Sequence, residues 1–91
     1  MKNRKINKLI LERIENSLDL GYDILEDDID NQEIDCKKAL KLLDDLKLLR
    51  AKLFANKFVY AGRFEKIDSK ELCKLLEDAN KFLNEVCEEE R

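Results

Sequence analysis

The stretch from Ile34 to Phe64, IDCKKALKLLDDLKLLRAKLFANKFVYAGRF, constrains the fold most, because its two halves follow different periods. In the first half Ala39, Leu42, Leu43, Leu46 and Leu49 recur at three- and four-residue steps, the spacing of one helix face. Lys37, Lys38, Lys41, Asp44 and Asp45 take the opposite face. From Leu49 the pattern alternates: Leu49, Ala51, Leu53 and Ala55 are apolar, Arg50, Lys52 and Asn56 stand between them, and Phe54 is the exception. A reversal at Asn56-Lys57 pairs Ala55 with Phe58, Leu53 with Tyr60, Ala51 with Gly62 and Leu49 with Phe64, all on one sheet face. The other face then carries Arg50, Lys52 and Arg63, with Lys57 at the turn. Phe58, Val59, Tyr60 and Phe64 favour strands, which supports this hairpin. The competing reading is one long helix over 35–61 with Leu42, Leu46, Leu49, Leu53 and Tyr60 as its stripe. That helix sets Arg50 and Lys57 near the stripe centre, although long basic side chains can reach out to water. Against the hairpin, Asn-Lys is a poor two-residue turn, since Lys57 would need positive φ. The hairpin is the favoured reading, and the helix stays open beside it.

Elements before and after this stretch read as helices. Ile6, Leu9, Ile10, Ile14 and Leu18 predict a first helix over 4–20, with Asn3 as N-cap and Gly21 as the left-handed residue that ends it. Tyr22-Asp23-Ile24-Leu25 fits either a short strand or the first turn of a helix. Asp23 and Glu26 have the spacing of a capping box, which supports a short acidic helix with Ile29 and Ile34 as its apolar residues. Asp28, Asp30 and Gln32 alternate as calcium ligands do, but Glu33 stands where that loop needs glycine and Ala39 where it needs Glu. A solvated acidic face is therefore expected. Residues 69–88 give the clearest helix, its stripe made of Leu72, Leu75, Leu76, Ala79, Phe82, Leu83, Val86 and Cys87. Asp68 and Glu71 form its capping box, and Ile67 and Leu72 stand at the staple positions.

Ninety-one residues make one domain with a modest core. No apolar run approaches the roughly 20 residues of a membrane span, and MKNRKINK lacks the features of a signal peptide. A cytoplasmic protein without membrane contact is expected. Cys36, Cys73 and Cys87 are odd in number and unpaired in sequence, which suits buried thiols in a reducing compartment. An exposed Cys36 or Cys87 would instead permit an intermolecular disulfide. Charge falls in blocks: +4 over 1–11, −9 over 12–35, +6 over 37–66 and −4 over 68–91. Such alternation either holds neighbouring elements together or marks a basic binding face on an acidic protein.

The order of elements, and the pattern of Ile6 to Phe64, resembles the winged helix-turn-helix superfamily. Ile34 stands at the apolar position of that family's turn, Ala39, Leu43 and Leu46 at the core of its recognition helix, and Leu25 and Ile29 in the preceding helix. No glycine occurs in the turn, where Gln32-Glu33 stands, and none ends the recognition helix near Arg50. The resemblance implies a mostly helical α+β fold: a winged-helix core over about 4–66, a β-hairpin near 49–64 and a further helix over 68–88. It implies a regulator that binds double-stranded DNA through Lys37, Lys38 and Lys41 in the major groove, with Arg50, Lys52, Lys57 and Arg63 on the wing. Asp44 and Asp45 would have to point away from phosphate.

The last helix would join two copies. Phe82, Leu83 and Val86 are expected to extend beyond the domain as a homodimer interface, with Glu85, Glu88, Glu89 and Glu90 fanning outward. Catalysis finds little support. Histidine is absent, Gly21 and Gly62 form no phosphate-cradling loop, and Ser17 and Ser69 lack triad partners. Neither a metal nor an organic cofactor is expected. The alternative is an all-helical bundle that binds another protein, as an inhibitor or immunity-type factor does. The two readings divide on whether 49–64 is hairpin or helix.

Overall fold

The computed structural model describes residues 2–88, and among them it holds three α-helices, one short 3-10 turn and no strand. Helix α1 runs Lys2–Asp30, α2 Cys36–Tyr60 and α3 Ser69–Glu88, with the turn at Phe64–Lys66 in the connection before α3. The proposed α+β winged helix is thereby overturned in favour of an all-α bundle. The bundle is a rod of 47 × 21 × 17 Å.

One period explains all three helices. Along α1, Asn7, Leu11, Ile14, Leu18, Gly21, Leu25 and Asp28 form a buried stripe in alternating four- and three-residue steps, with Ile10 buried beside it. Helix α2 buries Ala39, Leu42, Leu46, Leu49 and Leu53 in the same rhythm, and α3 buries Leu72, Leu75, Ala79, Phe82 and Val86. A strict seven-residue repeat keeps a single seam facing the partner helices, as in coiled coils. The Leu, Ile, Phe and Val members of these stripes, joined by Ile67, form one continuous core. Helix α1 packs on both others. Ser17 donates to Asn80 and Phe82 lies over Gly21, so α1 and α3 run parallel. Lys57 meets Glu15 while Arg50 meets Asp19, so α2 runs antiparallel to α1.

The expected hairpin is absent because Leu49 and Leu53 continue the stripe of Leu42 and Leu46, and all four are buried by α1 and α3. Leu53 and Tyr60 are two turns apart on one helix instead of paired across strands. Asn56, placed at the supposed turn, donates its side-chain amide to the Lys52 carbonyl at 2.9 Å, one helical turn back. The reversal occurs later, at Ala61 (φ 46°) and Gly62 (φ 85°), where Arg63 N–H reaches Tyr60 O at 2.8 Å.

Gly21 does not end α1. An added Cβ would lie 2.5 Å from Cε2 of Phe82, so this position is glycine to admit that ring. The helix therefore continues through Asp23 and Glu26, which cap nothing, and no separate acidic helix forms. It ends at Asp30, followed by the left-handed Gln32 with φ 58°, where Gln32 N–H meets Ile29 O and Glu33 N–H meets Asp28 O. The core face of α1 keeps the expected Ile10, Ile14 and Leu18 and adds Leu11, while the expected Ile6 and Leu9 are exposed. Asn3 as a side-chain cap lies outside the described side chains. The start of α3 follows the sequence, since Asp68 Oδ1 accepts from Lys70 N–H at 2.9 Å.

Asn7 locks the connection before α3 to α1. It is fully buried, and its amide donates to Phe64 O at 2.7 Å and Ile67 O at 3.0 Å. Its Oδ1 accepts from the Ser69 hydroxyl at 2.8 Å. A buried polar group at a seam position fixes register, because sliding would leave it without partners.

Candidate interaction surface

Helix α2 is apolar on more than one side. Its inner stripe faces the core, but its outer side in the second half carries Leu48, Ala51, Phe54, Ala55, Phe58 and Val59. Phe58 is 78% exposed, Val59 72% and Leu48 62%. These residues recur at three- and four-residue steps, so the helix gathers them into one strip. The Phe54 and Phe58 rings are 6.2 Å apart and tilted, an aromatic pair lying on the surface. Beside Phe54, a shallow depression is lined by Tyr22, Leu43, Lys47, Arg50 and Ala51. No acidic residue occurs from Leu46 to Phe64, whereas Lys47, Arg50, Lys52, Lys57 and Arg63 do.

The structure divides the seven basic residues expected to contact DNA. Arg50 pairs with Asp19 at 3.6 Å and lies 4.9 Å from the Tyr22 ring centroid. Lys57 donates to Glu15 at 2.6 Å. Lys41 lies 3.5 Å from Glu85 of α3 and 3.7 Å from Asp45. These three therefore fasten α2 to acids of its neighbours or of its own next turn. Lys37 and Lys38 stand exposed in the first turn of α2, Lys52 is exposed on its outer side, and Arg63 is exposed beyond its C-terminus. With no hairpin there is no wing, and Arg50, Lys52 and Lys57 belong to one continuous helix.

The residues expected at a dimer interface lie elsewhere too. Phe82 is 3% exposed and Val86 fully buried within the single chain, with Leu83 half-buried beside them. They are covered because α1 extends to Asp30 and so reaches the far end of α3. Glu85 turns to Lys41, Glu88 is exposed, and Glu89 and Glu90 lie outside the described residues.

All three cysteines are exposed, contrary to the buried placement expected of them, because each falls outside the seven-residue stripe of its helix. Asp28, expected on a solvated acidic face, is instead buried on the inner side of α1. Among the described residues, no group of three or more His, Cys, Asp or Glu side chains is placed to hold a metal ion. No helix among them is long and apolar enough to cross a membrane.

Asn7 and the outer strip of α2 escaped the sequence reading. The seven-residue count through Asn7, Ile14, Gly21 and Asp28 marks the first, and the acid-free run from Leu46 to Phe64 marks the second. Comparison with protein families, with characterised proteins and with solved structures yields no match for this chain.

Proposed function

We propose that this chain is a cytoplasmic interaction module with no chemistry of its own, acting as an inhibitor or immunity-type factor does, by occupying a partner protein. The observation that carries this reading is the exposed apolar strip on the outer side of α2, centred on Phe54, Phe58 and Val59. Fully burying a Phe or Val side chain stabilises by about 1.5–3 kcal/mol, and two aromatic rings held side by side in water leave that gain unrealised. A helix locked by a continuous core presents these side chains without further ordering, which lowers the entropic cost of docking. Three of the seven basic residues expected to contact DNA, Lys41, Arg50 and Lys57, pair with acids of α1 and α3 and suit the module reading.

A photo-crosslinking side chain placed at Phe58, and separately at Glu77 on α3, tests this in the cells that make the protein. The expected result is a discrete protein adduct from position 58 alone. The purified adduct partner should then bind the wild-type chain and lose about tenfold or more in affinity for Phe58→Asp/Val59→Asp. Identical adducts from both positions, or a partner indifferent to the double change, would remove the proposal.

A further inference from the structure

We infer that the partner element seated on α2 is an acidic amphipathic helix, an inference that rests on the interaction-module reading. Three observations converge on it. The first is shape. Ala51 and Ala55 stand one helical turn apart at the middle of the outer face, and the larger Leu48, Phe54, Phe58 and Val59 border them. Small residues flanked by large ones make a shallow trough, and Leu48 to Phe58 spans about 15 Å along the axis. A trough of this form seats a rod, with its apolar side chains lodged between those of α2. The depression beside Phe54, bounded by Tyr22, Leu43 and Ala51, offers one anchoring hollow.

The second observation is charge. Lys47 and Lys52 are exposed at the two borders of the trough, and Arg63 is exposed beyond its end. Acids are missing from this whole segment, although the chain as a whole is net −3. A helix with Asp or Glu on both flanks of an apolar seam would set its acids against those bases, as flanking charges do in coiled coils.

The third observation argues against a second copy. Pairing two α2 faces would bring Lys47 and Lys52 of both chains together, with Asp44 as the only exposed α2 acid to oppose them. Like charges so placed are repulsive. A lipid surface is also the poorer fit, because it calls for large apolar side chains at the crest, where Ala51 and Ala55 stand.

The test uses the full chain, labelled for amide NMR, and a synthetic helix of about three heptads with Leu and Ala at the seam and Glu on its flanks. Parallel arms use the same peptide with Lys for Glu, phosphatidylglycerol vesicles, and the protein alone in light scattering. The Glu peptide is expected to shift the amides of Leu48, Ala51, Ala55 and Phe58, and to bind less well as salt rises. Lys47→Glu/Lys52→Glu should weaken it about tenfold, and Ala55→Arg should abolish it by filling the trough, both variants melting like the wild type. Equal binding of the Lys peptide, or Glu-peptide shifts confined to α1 and α3, would overturn the inference. So would a protein that ignores the peptide but coats the vesicles or self-associates through Phe58. If position 58 still crosslinks to a protein that Phe58→Asp/Val59→Asp releases, only the acidic-helix inference has failed. If neither experiment succeeds, the interface itself is wrong.

Discussion

Gly21 shows how one side chain decides the length of a helix. Glycine in a helix interior costs about 1 kcal/mol relative to alanine, so Gly21→Ala should stabilise α1 considered alone. In the bundle the new methyl would stand 2.5 Å from the ring of Phe82, a residue only 3% exposed. Overpacking of this kind costs about 1–3 kcal/mol, enough to cancel or exceed the helical gain. Gly21→Ala is therefore expected to lower the urea midpoint, and Phe82→Leu added to it should recover part of the loss. A Gly21→Ala protein more stable than wild type would show that the ring is not held in that position. Asn7 acts by hydrogen bonds instead of volume. Its three partners come from the connection and the start of α3, about sixty residues along the chain.

At the scale of elements, α2 is the helix on which both readings of the sequence turned. Lys57→Gly discriminates them sharply. In a hairpin the change would create Asn-Gly, the preferred two-residue turn, and raise stability. In the observed helix it adds a glycine near the end, at about 1 kcal/mol, and removes the bond to Glu15. That half-exposed pair is worth about 0.2–1 kcal/mol, so a total loss of about 1–2 kcal/mol is expected. Thermal unfolding would measure it, and amide shifts should stay helical from Leu49 to Tyr60. A rise in stability would argue that the chain forms the hairpin after all. Helix α3 needed no such arbitration. Its limits, its Asp68 cap and the Leu72, Leu75, Ala79, Phe82 and Val86 of its stripe agree in sequence and structure, while Cys87 is exposed.

Across the whole molecule, two apolar surfaces have different standing. The inner one, running through Leu11, Ile14, Leu42, Leu72 and Phe82, holds three helices together. The outer one, at Phe54, Phe58 and Val59, lies mostly in water at Phe58 and Val59. Phe82→Ala should therefore cost about 3–5 kcal/mol. Phe58→Asp/Val59→Asp should stay within about 0.5 kcal/mol of wild type, since surface changes seldom do more. Chemical denaturation of the two variants side by side checks the contrast. A large loss from the outer pair would mean that it is covered within the chain, and would leave the interaction module without its surface.

The stripe of α3 and the first half of that of α2 are legible in sequence because their members are nearly all apolar, and local period alone then defines a face. The stripe of α1 is not, because Asn7, Gly21 and Asp28 occupy seam positions and look like surface or stop residues. Only the tertiary structure explains two of them: Asn7 meets Phe64, Ile67 and Ser69, and Gly21 meets Phe82, each far along the chain. The second half of α2 posed the opposite difficulty. It is apolar on both sides, so Leu49 and Leu53 fit a helix stripe, while Leu49, Ala51, Leu53 and Ala55 fit a strand. Period names the residues that share a face, but which face is covered depends on what the rest of the chain brings against it. Here α1 and α3 cover Leu49 and Leu53 and leave Phe58 and Val59 in water.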